Sequence, residues 1–305
     1  MRNAYLAICY ACNEGCKYCP CTKFELDDQL PLYTPYEKLV LKVDMFVQNG
    51  ITDITISGGE PTLHPQLVDI VTYIQERNVD VTILSNGERF SDAKFRRMFL
   101  NRVNQSHLKL ITTIHSHIPA EHELANSSPG SFIKTISGLH ALETAGGRVI
   151  IKHCITRENY KDLSLFMPFI AADFGPQVDV QFCSIDYCGI PKEHMAAERL
   201  SFKELRPYLE QAFDSYENQG IKNKLYCINI PLCSCDPYYW KYLPRKREKM
   251  YERYSDPTLQ KIVLGYNNVD TPDCYCANCK VKEICVGTYV TAFQYFGSEV
   301  ISPIF

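Results

Sequence analysis

The first two thirds of the chain alternate between short β-branched apolar runs and longer segments whose apolar residues recur at helical spacing. The short runs predict six strands, at residues 4–10, 54–57, 79–84, 108–114, 148–155 and 178–182. The longer segments predict helices at residues 65–77, 91–100, 132–144, 159–172 and 202–218, in addition to one that ends near Asn49-Gly50. Such alternation favours parallel pairing of successive strands.

The first helix has a recognisable start. Thr34 is a suitable N-cap, Pro35 suits the first helical position, and Glu37 can complete a capping box with Thr34. These residues therefore predict that the helix begins here.

The six β/α units predict an α/β fold, an open, partial (β/α)6 barrel of the TIM type, with its chemistry at the carboxyl ends of the strands. An open doubly wound sheet is the structural alternative. After about Gly220, cysteines and tyrosines become dense, prolines are frequent and the alternation stops. We therefore expect two domains, the barrel at residues 1–220 and a cysteine-rich domain at residues 221–305.

The composition narrows the functional classes. A formal net charge of -3 and a pI near 6.3 give no electrostatic reason to bind nucleic acid or an anionic membrane. No stretch approaches the ~20 apolar residues of a membrane span, and no secretion signal is visible at the start. We therefore expect a cytoplasmic protein, in which the 15 cysteines are thiols or metal ligands rather than disulfides.

Three cysteines follow the first predicted strand closely. Cys12, Cys16 and Cys19 are separated by three and two residues, and Gly15 lets the loop between them turn. Three thiolates on one loop can hold three irons of a cubane, which leaves the fourth iron open to an exogenous chelator. The spacing alone leaves a zinc knuckle or a group of buried thiols as alternatives.

At these residues the sequence resembles the radical S-adenosylmethionine (SAM) superfamily. Its CxxxCxΦC motif, where Φ is aromatic, is matched by Cys12, Cys16, Tyr18 and Cys19. The resemblance implies a SAM-binding 4Fe-4S cluster on the three cysteines, shielded by Tyr18, and a reducing electron donor such as flavodoxin or ferredoxin. It also implies reductive cleavage of SAM to a 5′-deoxyadenosyl radical.

A second motif follows the second strand. Gly58 and Gly59 allow a close backbone approach, Glu60 offers an acceptor to an ammonium, and Pro61 follows. In the family this Gly-Gly-Glu-Pro motif contacts the methionyl amine of SAM. The resemblance further implies that polar residues after strands three and four lie near the ribose or carboxylate of SAM: Ser85, Asn86 and Ser116. Arg157, after strand five, offers a cation for the SAM carboxylate.

Other polar residues at the strand ends leave alternatives open. Thr156 and Asn159 can contact SAM or cap a turn, and Asp186 can face SAM or substrate. His115 and His117 are acid/base or ligand candidates, or hydrogen-bonded residues at the barrel rim.

Seven cysteines fall in the last third of the chain. Cys276, Cys279 and Cys285 supply three ligands, and Cys233 is the preferred fourth, with Cys227 and Cys235 as alternatives; Cys274 has no assigned role. This tail resembles the twitch or SPASM-like extensions of radical SAM enzymes, which carry auxiliary iron-sulfur clusters. Tyr289 stands where the two-cluster pattern has another cysteine, so one auxiliary 4Fe-4S cluster is predicted. A structural zinc is the alternative. The remaining cysteines are predicted to be core or rim thiols: Cys9, Cys21, Cys154, Cys183 and Cys188.

The resemblance also suggests the reaction. The branch with such tails is dominated by maturases of ribosomally made peptides, which implies oxidation or cross-linking of a peptide partner. The aromatic residues Tyr238, Tyr239 and Trp240, and the run 289–296, are candidates to line a peptide channel. The alternatives are a small-molecule dehydrogenase, a nucleotide-processing enzyme, or a zinc-stabilised binding module without catalysis.

Overall fold

The computed structural model describes residues 3–19, 32–245, 253–254 and 269–305; the predicted thiol Cys21 lies outside them. The strands are β1 (Asn3–Cys9), β2 (Asp53–Gly58), β3 (Asp80–Leu84), β4 (Leu108–Thr113), β5 (Arg148–Ile155), β6 (Asp179–Ser184), β7 (Leu225–Ile228), β8 (Arg253–Tyr254), β9 (Val269–Asp270) and β10 (Thr288–Tyr289). The helices are α1 (Tyr36–Gln48), α2 (Leu67–Gln75), α3 (Ala93–Arg102), α4 (Pro119–Asn126), α5 (Ser131–Thr144), α6 (Leu163–Asp173), α7 (Met195–Glu198), α8 (Phe202–Asn218), α9 (Asp273–Cys276) and α10 (Val290–Phe296).

The main sheet is parallel throughout and follows the order of the chain. Its strands run β7-β6-β5-β4-β3-β2-β1-β8, and every neighbouring pair is parallel. A doubly wound sheet would reverse its strand order at a switch point. The sequential order therefore confirms the partial barrel over that alternative.

The barrel contains a seventh strand that the six predicted units omit. β7 pairs with β6 through Val180↔Leu225 and Phe182↔Cys227, although it lies after residue 220. It has only four residues, and its alternation of buried and half-buried positions is too short to stand out in the sequence. The sheet thus continues into the segment predicted to start the tail.

The two faces of β5 show which side chains point into the barrel. His153 packs against the helix layer, with its ring centroid 4.0 Å from that of Phe166 in α6. Side chains alternate along a strand, so Lys152 and Cys154 face the opposite, concave side. Lys152 lies within electrostatic range of Tyr5 on β1, four strands away. The sheet therefore curves around an inner space, called the lumen below.

The predicted capping box of α1 is wrong. Pro35 is the N-cap and makes no side-chain cap bond. Thr34 instead donates its backbone N–H to the carbonyl of Ile8 at 2.9 Å, because the chain before α1 runs alongside β1. The predicted stop is present, since Gly50 follows the helix with a φ of 73°.

The tail packs against the end of the barrel near β6. Thr291 at the start of α10 donates its hydroxyl to Asp186 at 2.6 Å, and β9 pairs with β10 antiparallel. Of the aromatic residues predicted to line a peptide channel, Tyr239 stacks on Phe213 of α8 and Tyr238 is exposed; the lining by the others stays a prediction. Within the described residues, no helix has the length and apolar character to cross a membrane.

Candidate functional site

The Gly-Gly-Glu segment after β2 lies against the start of residues 10–19, called the cysteine loop below. The N–H of Gly59 donates to the Cys9 carbonyl at 2.8 Å, and that of Glu60 donates to the Ala11 carbonyl at 2.7 Å. A Cβ atom on Gly58 would lie 2.0 Å from the Cys9 oxygen, and one on Gly59 would lie 2.2 Å from the Ala11 oxygen. Only glycine permits this approach, so the two sequence motifs are neighbours in space.

The buried carboxylate of Glu60 joins the ends of β2 and β3. Its Oε1 accepts bonds from Thr62 and from the Ser85 hydroxyl, the latter at 2.8 Å, and Oε2 accepts the Asn86 N–H at 2.7 Å. Burial raises the pKa of Glu60, and these donors oppose the rise. Pro61 opens the turn that Glu60 caps. Oε2 has a single protein donor in this network and retains capacity for another, such as an ammonium.

Two neighbouring elements hold the cysteine loop. Asn86, after β3, donates its Nδ2 to Asn13 Oδ1 at 2.9 Å. The Gly15 N–H donates to the carbonyl of Asn126 at 2.8 Å, and Asn126 Nδ2 donates to Glu14 Oε1 at 2.8 Å. Because Asn126 is fully buried at the end of α4, it fixes the loop to the barrel.

The three thiols of the loop face a common region. Cys12 is exposed, whereas Cys16 and Cys19 are half-buried, and all are free thiols. Burial raises the pKa of Cys12 to about 12 and raises the pKa of Cys16 further, with Cys19 adding to both shifts. Thiols become thiolates when they bind iron. Three mutually interacting thiols beside the Gly-Gly-Glu segment fit a cluster with three protein ligands.

A buried histidine lies behind the loop. His115 Nδ1 pairs with the Tyr18 hydroxyl at 2.9 Å, and Nε2 lies 3.8 Å from the Cys16 sulfur. Burial lowers the pKa of His115 well below its usual value. The ligand atoms of Glu14, Cys16 and His115 lie within 4.8 Å of one another. A metal bound by this trio would take Cys16 away from a three-cysteine cluster.

Two side chains that were predicted to lie near SAM contact helices instead. Ser116 donates its hydroxyl to Glu121 in the first turn of α4 at 2.6 Å. Arg157 is exposed and pairs with Glu204 of α8 at 2.9 Å. His117 is half-buried in the same loop as Ser116. The cation predicted for the SAM carboxylate therefore points towards α8, and its contact with SAM stays a prediction.

The turns after β5 and β6 use their polar side chains structurally. Asn159 Oδ1 accepts the Thr156 N–H at 2.8 Å, and Asn159 Nδ2 donates to the His115 carbonyl at 3.0 Å. Asp186 accepts the Thr291 hydroxyl, which attaches the tail to the barrel. These contacts correspond to the capping alternative for Thr156 and Asn159.

Four of the tail cysteines surround one pocket. Cys233, Cys276, Cys279 and Cys285 line a small cavity together with Pro231, Phe293 and Ile301. Burial raises the pKa of Cys233 to about 12, and Cys285, Cys276 and Cys279 add to that shift. The preferred fourth cysteine thus lies beside the other three.

Backbone N–H groups point at the sulfurs around this pocket. Cys285 Sγ accepts bonds from Leu232 and Gly287 at 3.3 and 3.4 Å. Cys279 Sγ accepts one from Ile304 at 3.4 Å. Such donors stabilise negative charge on sulfur, as iron-bound thiolates require. The pocket fits a four-thiolate metal site.

The other tail cysteines lie outside this group. Cys227 is buried in β7 and Cys235 is buried beside Glu210 of α8, whereas Cys274 is exposed. None of these three lines the pocket.

The family model of the radical SAM superfamily matches residues 6–163, which is more than half of this chain. The chain belongs to the radical SAM superfamily. Members of this superfamily are enzymes, and membership implies a 4Fe-4S cluster and SAM.

Its relatives among curated proteins have several activities. Molybdenum cofactor biosynthesis protein 1 of Mus musculus is 26% identical over 71% of this chain and 33% of that protein. Fe-coproporphyrin III synthase of Methanosarcina barkeri is 23% identical over 79% of this chain and 58% of that protein. The chain therefore spans about one third of the first relative and somewhat over half of the second.

Solved structures of radical SAM enzymes share the fold. Streptococcus suis SuiB bound to the precursor peptide SuiA has a TM-score of 0.60 at 14% identity, over 74% of this chain and 48% of SuiB. The enzyme anSMEcpe with bound AdoMet and a Kp18Cys peptide has a TM-score of 0.57 at 16% identity, over 74% of this chain and 63% of that chain. At these identities the likeness concerns the fold.

Sequence reasoning missed several polar residues of this radical SAM barrel. Glu14 and Asn126 fix the cysteine loop, and Lys152 and Asn229 face the lumen near Tyr289. The available signal for Lys152 was one lysine in a strand end that is apolar apart from it and His153. No sequence pattern points to Asn126, because its role depends on where α4 packs.

Proposed function

We propose that this radical SAM enzyme modifies a ribosomally made peptide by oxidation or cross-linking, using a SAM-binding cluster and one auxiliary cluster. The observation that carries the proposal is the presence of two separate sets of free thiols, three on the cysteine loop and four around the tail pocket. The proposal assigns residues 1–220, together with strands β7 and β8 of the main sheet, to the barrel domain, and the rest of residues 221–305 to a twitch or SPASM-like domain.

In this proposal Cys12, Cys16 and Cys19 hold the cluster at the barrel mouth. When bound, the cluster and SAM would supply radical chemistry, with a 5′-deoxyadenosyl radical as the acceptor of a hydrogen atom from the substrate. Tyr18 is buried against His115 and covers the inner side of the loop, which helps to exclude water from it. An electron donor such as flavodoxin or ferredoxin is part of the proposal.

The Gly-Gly-Glu segment positions SAM. The backbone at Gly58 and Gly59 leaves no room for side chains beside the cysteine loop. Glu60 Oε2 has capacity for the methionyl ammonium, and Asn86 lies beside it at the end of β3. The motif thus brings an acceptor and a bare backbone edge to the same place as the three thiols.

The auxiliary site is proposed to hold a 4Fe-4S cluster on Cys233, Cys276, Cys279 and Cys285. A zinc ion with four Zn–S bonds of about 2.3 Å would hold its sulfurs about 3.8 Å apart. In a cubane each thiolate binds a different iron, so the sulfurs stand farther apart. Among the described residues, no three tail thiols lie within 4.8 Å of one another. This spacing favours the cluster over zinc.

The peptide substrate is supported by the fold and by the open edge of the barrel. SuiB and anSMEcpe, which share this fold, have been solved with peptides bound. In the part of the chain that the structure describes, β7 and β8 are the unpaired edges of the sheet, which leaves a lateral opening for an extended chain. The curated relatives favour a second candidate, a small-molecule reaction of the kind that a cyclase or haem synthase performs.

The test uses the full chain, reconstituted with iron and sulfide without oxygen. SAM cleavage is measured as 5′-deoxyadenosine, and the enzyme is co-expressed with short peptides encoded beside its gene. We expect a peptide to lose two hydrogens with the wild-type enzyme and to keep its mass with Cys12→Ala. Consumption of SAM with oxidation of a metabolite, and no change in any peptide, would favour the small-molecule candidate instead.

A further inference from the structure

Two lysines of the lumen lie in very different surroundings. Lys109 on β4 reaches across β3 and pairs with Asp53 on β2 at 2.8 Å. Asp53 is buried and also accepts bonds from Asn3 and Thr82, so this charge pair is fully satisfied by protein groups. A buried charge with partners of this kind is the normal arrangement in proteins.

Lys152 on β5 has no such partner. It is half-buried, and within the described part of the chain its ammonium makes neither a hydrogen bond nor an ion pair. The groups that raise its pKa are Cys154 and Cys183 first, then Tyr289 and Tyr5, and none of them is a carboxylate. Among the described residues, Lys152 is therefore a cation in the lumen without a counterion.

The neighbours of Lys152 do not neutralise its charge. Burial raises the pKa of the Cys183 thiol and of the Tyr289 phenol, so both are uncharged at neutral pH. Placing a cation in such an enclosed space costs free energy unless an anion joins it. The arrangement leaves a place for the negative group of a bound molecule.

Hydrogen-bonding groups already border this place. Asn229 has a left-handed backbone, with a φ of 57°, and donates its Nδ2 to the Tyr289 hydroxyl at 2.6 Å. Because the Tyr289 oxygen accepts that bond, its own proton is available to an acceptor. Cys183 lies 4.0 Å from the same oxygen. An ammonium and a phenol O–H thus border one region of the lumen.

The position of this region relates it to both proposed clusters. Burial raises the pKa of Tyr18 on the cysteine loop, and Cys154 adds to that rise. Cys154, the next lumen-facing residue on β5, is therefore close to Tyr18. Tyr289 belongs to β10, four residues after the proposed ligand Cys285. A group held by Lys152 and Tyr289 would therefore lie in the lumen between the cysteine loop and the tail.

We propose that Lys152 and Tyr289, oriented by Asn229, form a subsite that binds a carboxylate group of the substrate. This inference rests on the proposed function, because it places the substrate in the lumen. It also gives Tyr289 a role at the position where the resemblance to two-cluster tails led us to look for a cysteine. The SAM carboxylate is the other source of the same chemistry, and the experiment separates the two.

The experiment measures the thermal midpoint of the reconstituted enzyme in acetate and in neutral acetamide, at fixed ionic strength, with and without saturating SAM. Lys152→Met removes the charge and keeps the chain length, and it should fold because it removes an unpaired cation. Lys203→Met, the same change at an exposed position of α8, is the matched control. We expect acetate to raise the midpoint of the wild type and of Lys203→Met in a saturable way, also with SAM bound. Lys152→Met should lose this response, and acetamide should have no effect.

Several results would overturn the subsite: no acetate response in the wild type, an equal response in Lys152→Met, or a response that saturating SAM abolishes. A roughly tenfold weaker SAM affinity in Lys152→Met would assign the lysine to SAM instead, a change of about 1.4 kcal/mol. Iron content and 5′-deoxyadenosine formation are measured on the same samples. Their absence from the wild type would contradict the proposed function, whereas the acetate response concerns Lys152 alone.

Discussion

The two cysteine sites of this protein are built in opposite ways. On the cysteine loop, three thiols lie at the barrel mouth, and Cys12 is exposed. In the tail, four thiols surround a pocket, and Cys285 is buried with two backbone N–H groups pointing at its sulfur. The first set offers three thiols and is accessible, whereas the second offers four thiols, two of which are buried.

In the proposed function, this difference separates a loop site that binds SAM from a tail site that needs no exogenous ligand. An open coordination position accepts an exogenous ligand, and full protein ligation leaves none. Backbone donors to sulfur also stabilise the reduced state of a cluster. We therefore expect SAM chemistry at the loop and electron transfer or structural support in the tail.

The largest effect is expected from loss of a loop cysteine. Cys16→Ala should lower 5′-deoxyadenosine formation to background. Loss of even a hydrogen-bond partner of a metal ligand lowers metal affinity or activity about 10- to 100-fold, and Cys16 is a proposed ligand itself. The triple variant Cys276/Cys279/Cys285→Ala should lose one cluster of iron and still cleave SAM. Iron analysis and product quantification check both. A tail variant that loses SAM cleavage while remaining folded would contradict the division of roles.

The next effect concerns the contact between the two sequence motifs. Gly59→Ala places a Cβ 2.2 Å from the Ala11 oxygen, so the backbone must shift, and overpacking of this kind costs about 1–3 kcal/mol. Loop iron and SAM cleavage should fall with it. The control is Gly15→Ala, whose Cβ would lie 3.5 Å from that of Ser127, an ordinary contact. Equal losses in the two variants would show that the close approach at Gly59 is not what matters.

A finer prediction identifies the fourth tail ligand. Cys233→Ala should reduce the iron of the tail site and change its absorption spectrum, because Cys233 lines the pocket. Cys235→Ala removes a thiol two residues away that faces Glu210 instead, and it should leave the iron unchanged. The reverse outcome would move the fourth ligand to Cys235.

The smallest expected effect is a pH dependence of stability, which distinguishes the barrel from the tail. All eight histidines lie in the first 220 residues, and burial lowers the pKa of His153 to about 4. The unfolded chain takes up this proton near pH 6.5, so the barrel loses stability as the pH falls from about 6.5 towards 4, by about 2 kcal/mol between pH 7 and 5. Denaturant unfolding of His153→Phe at both pH values should show a smaller loss than the wild type. An unchanged loss would exclude His153 as its source.

The sequence predicted those features that local pattern determines. The loop cysteines and the Gly-Gly-Glu segment are contiguous motifs, and the alternation of strands and helices gave the barrel. Thr34 failed as a cap because the helix begins one residue later than predicted, with Pro35 as its N-cap, while the Thr34 N–H bonds to β1. Lys152 was missed because only the curvature of the sheet shows that it faces an enclosed space rather than solvent.

The most direct test of the account is electron paramagnetic resonance of the reduced enzyme, with and without SAM, in the wild type and in the Cys276/Cys279/Cys285→Ala variant. The account predicts two cluster signals in the wild type, of which SAM changes one, and the SAM-sensitive signal should persist in the variant. A wild-type spectrum that SAM leaves unchanged, or a SAM-sensitive signal that disappears with the tail cysteines, would contradict the assignment of SAM to the cysteine loop.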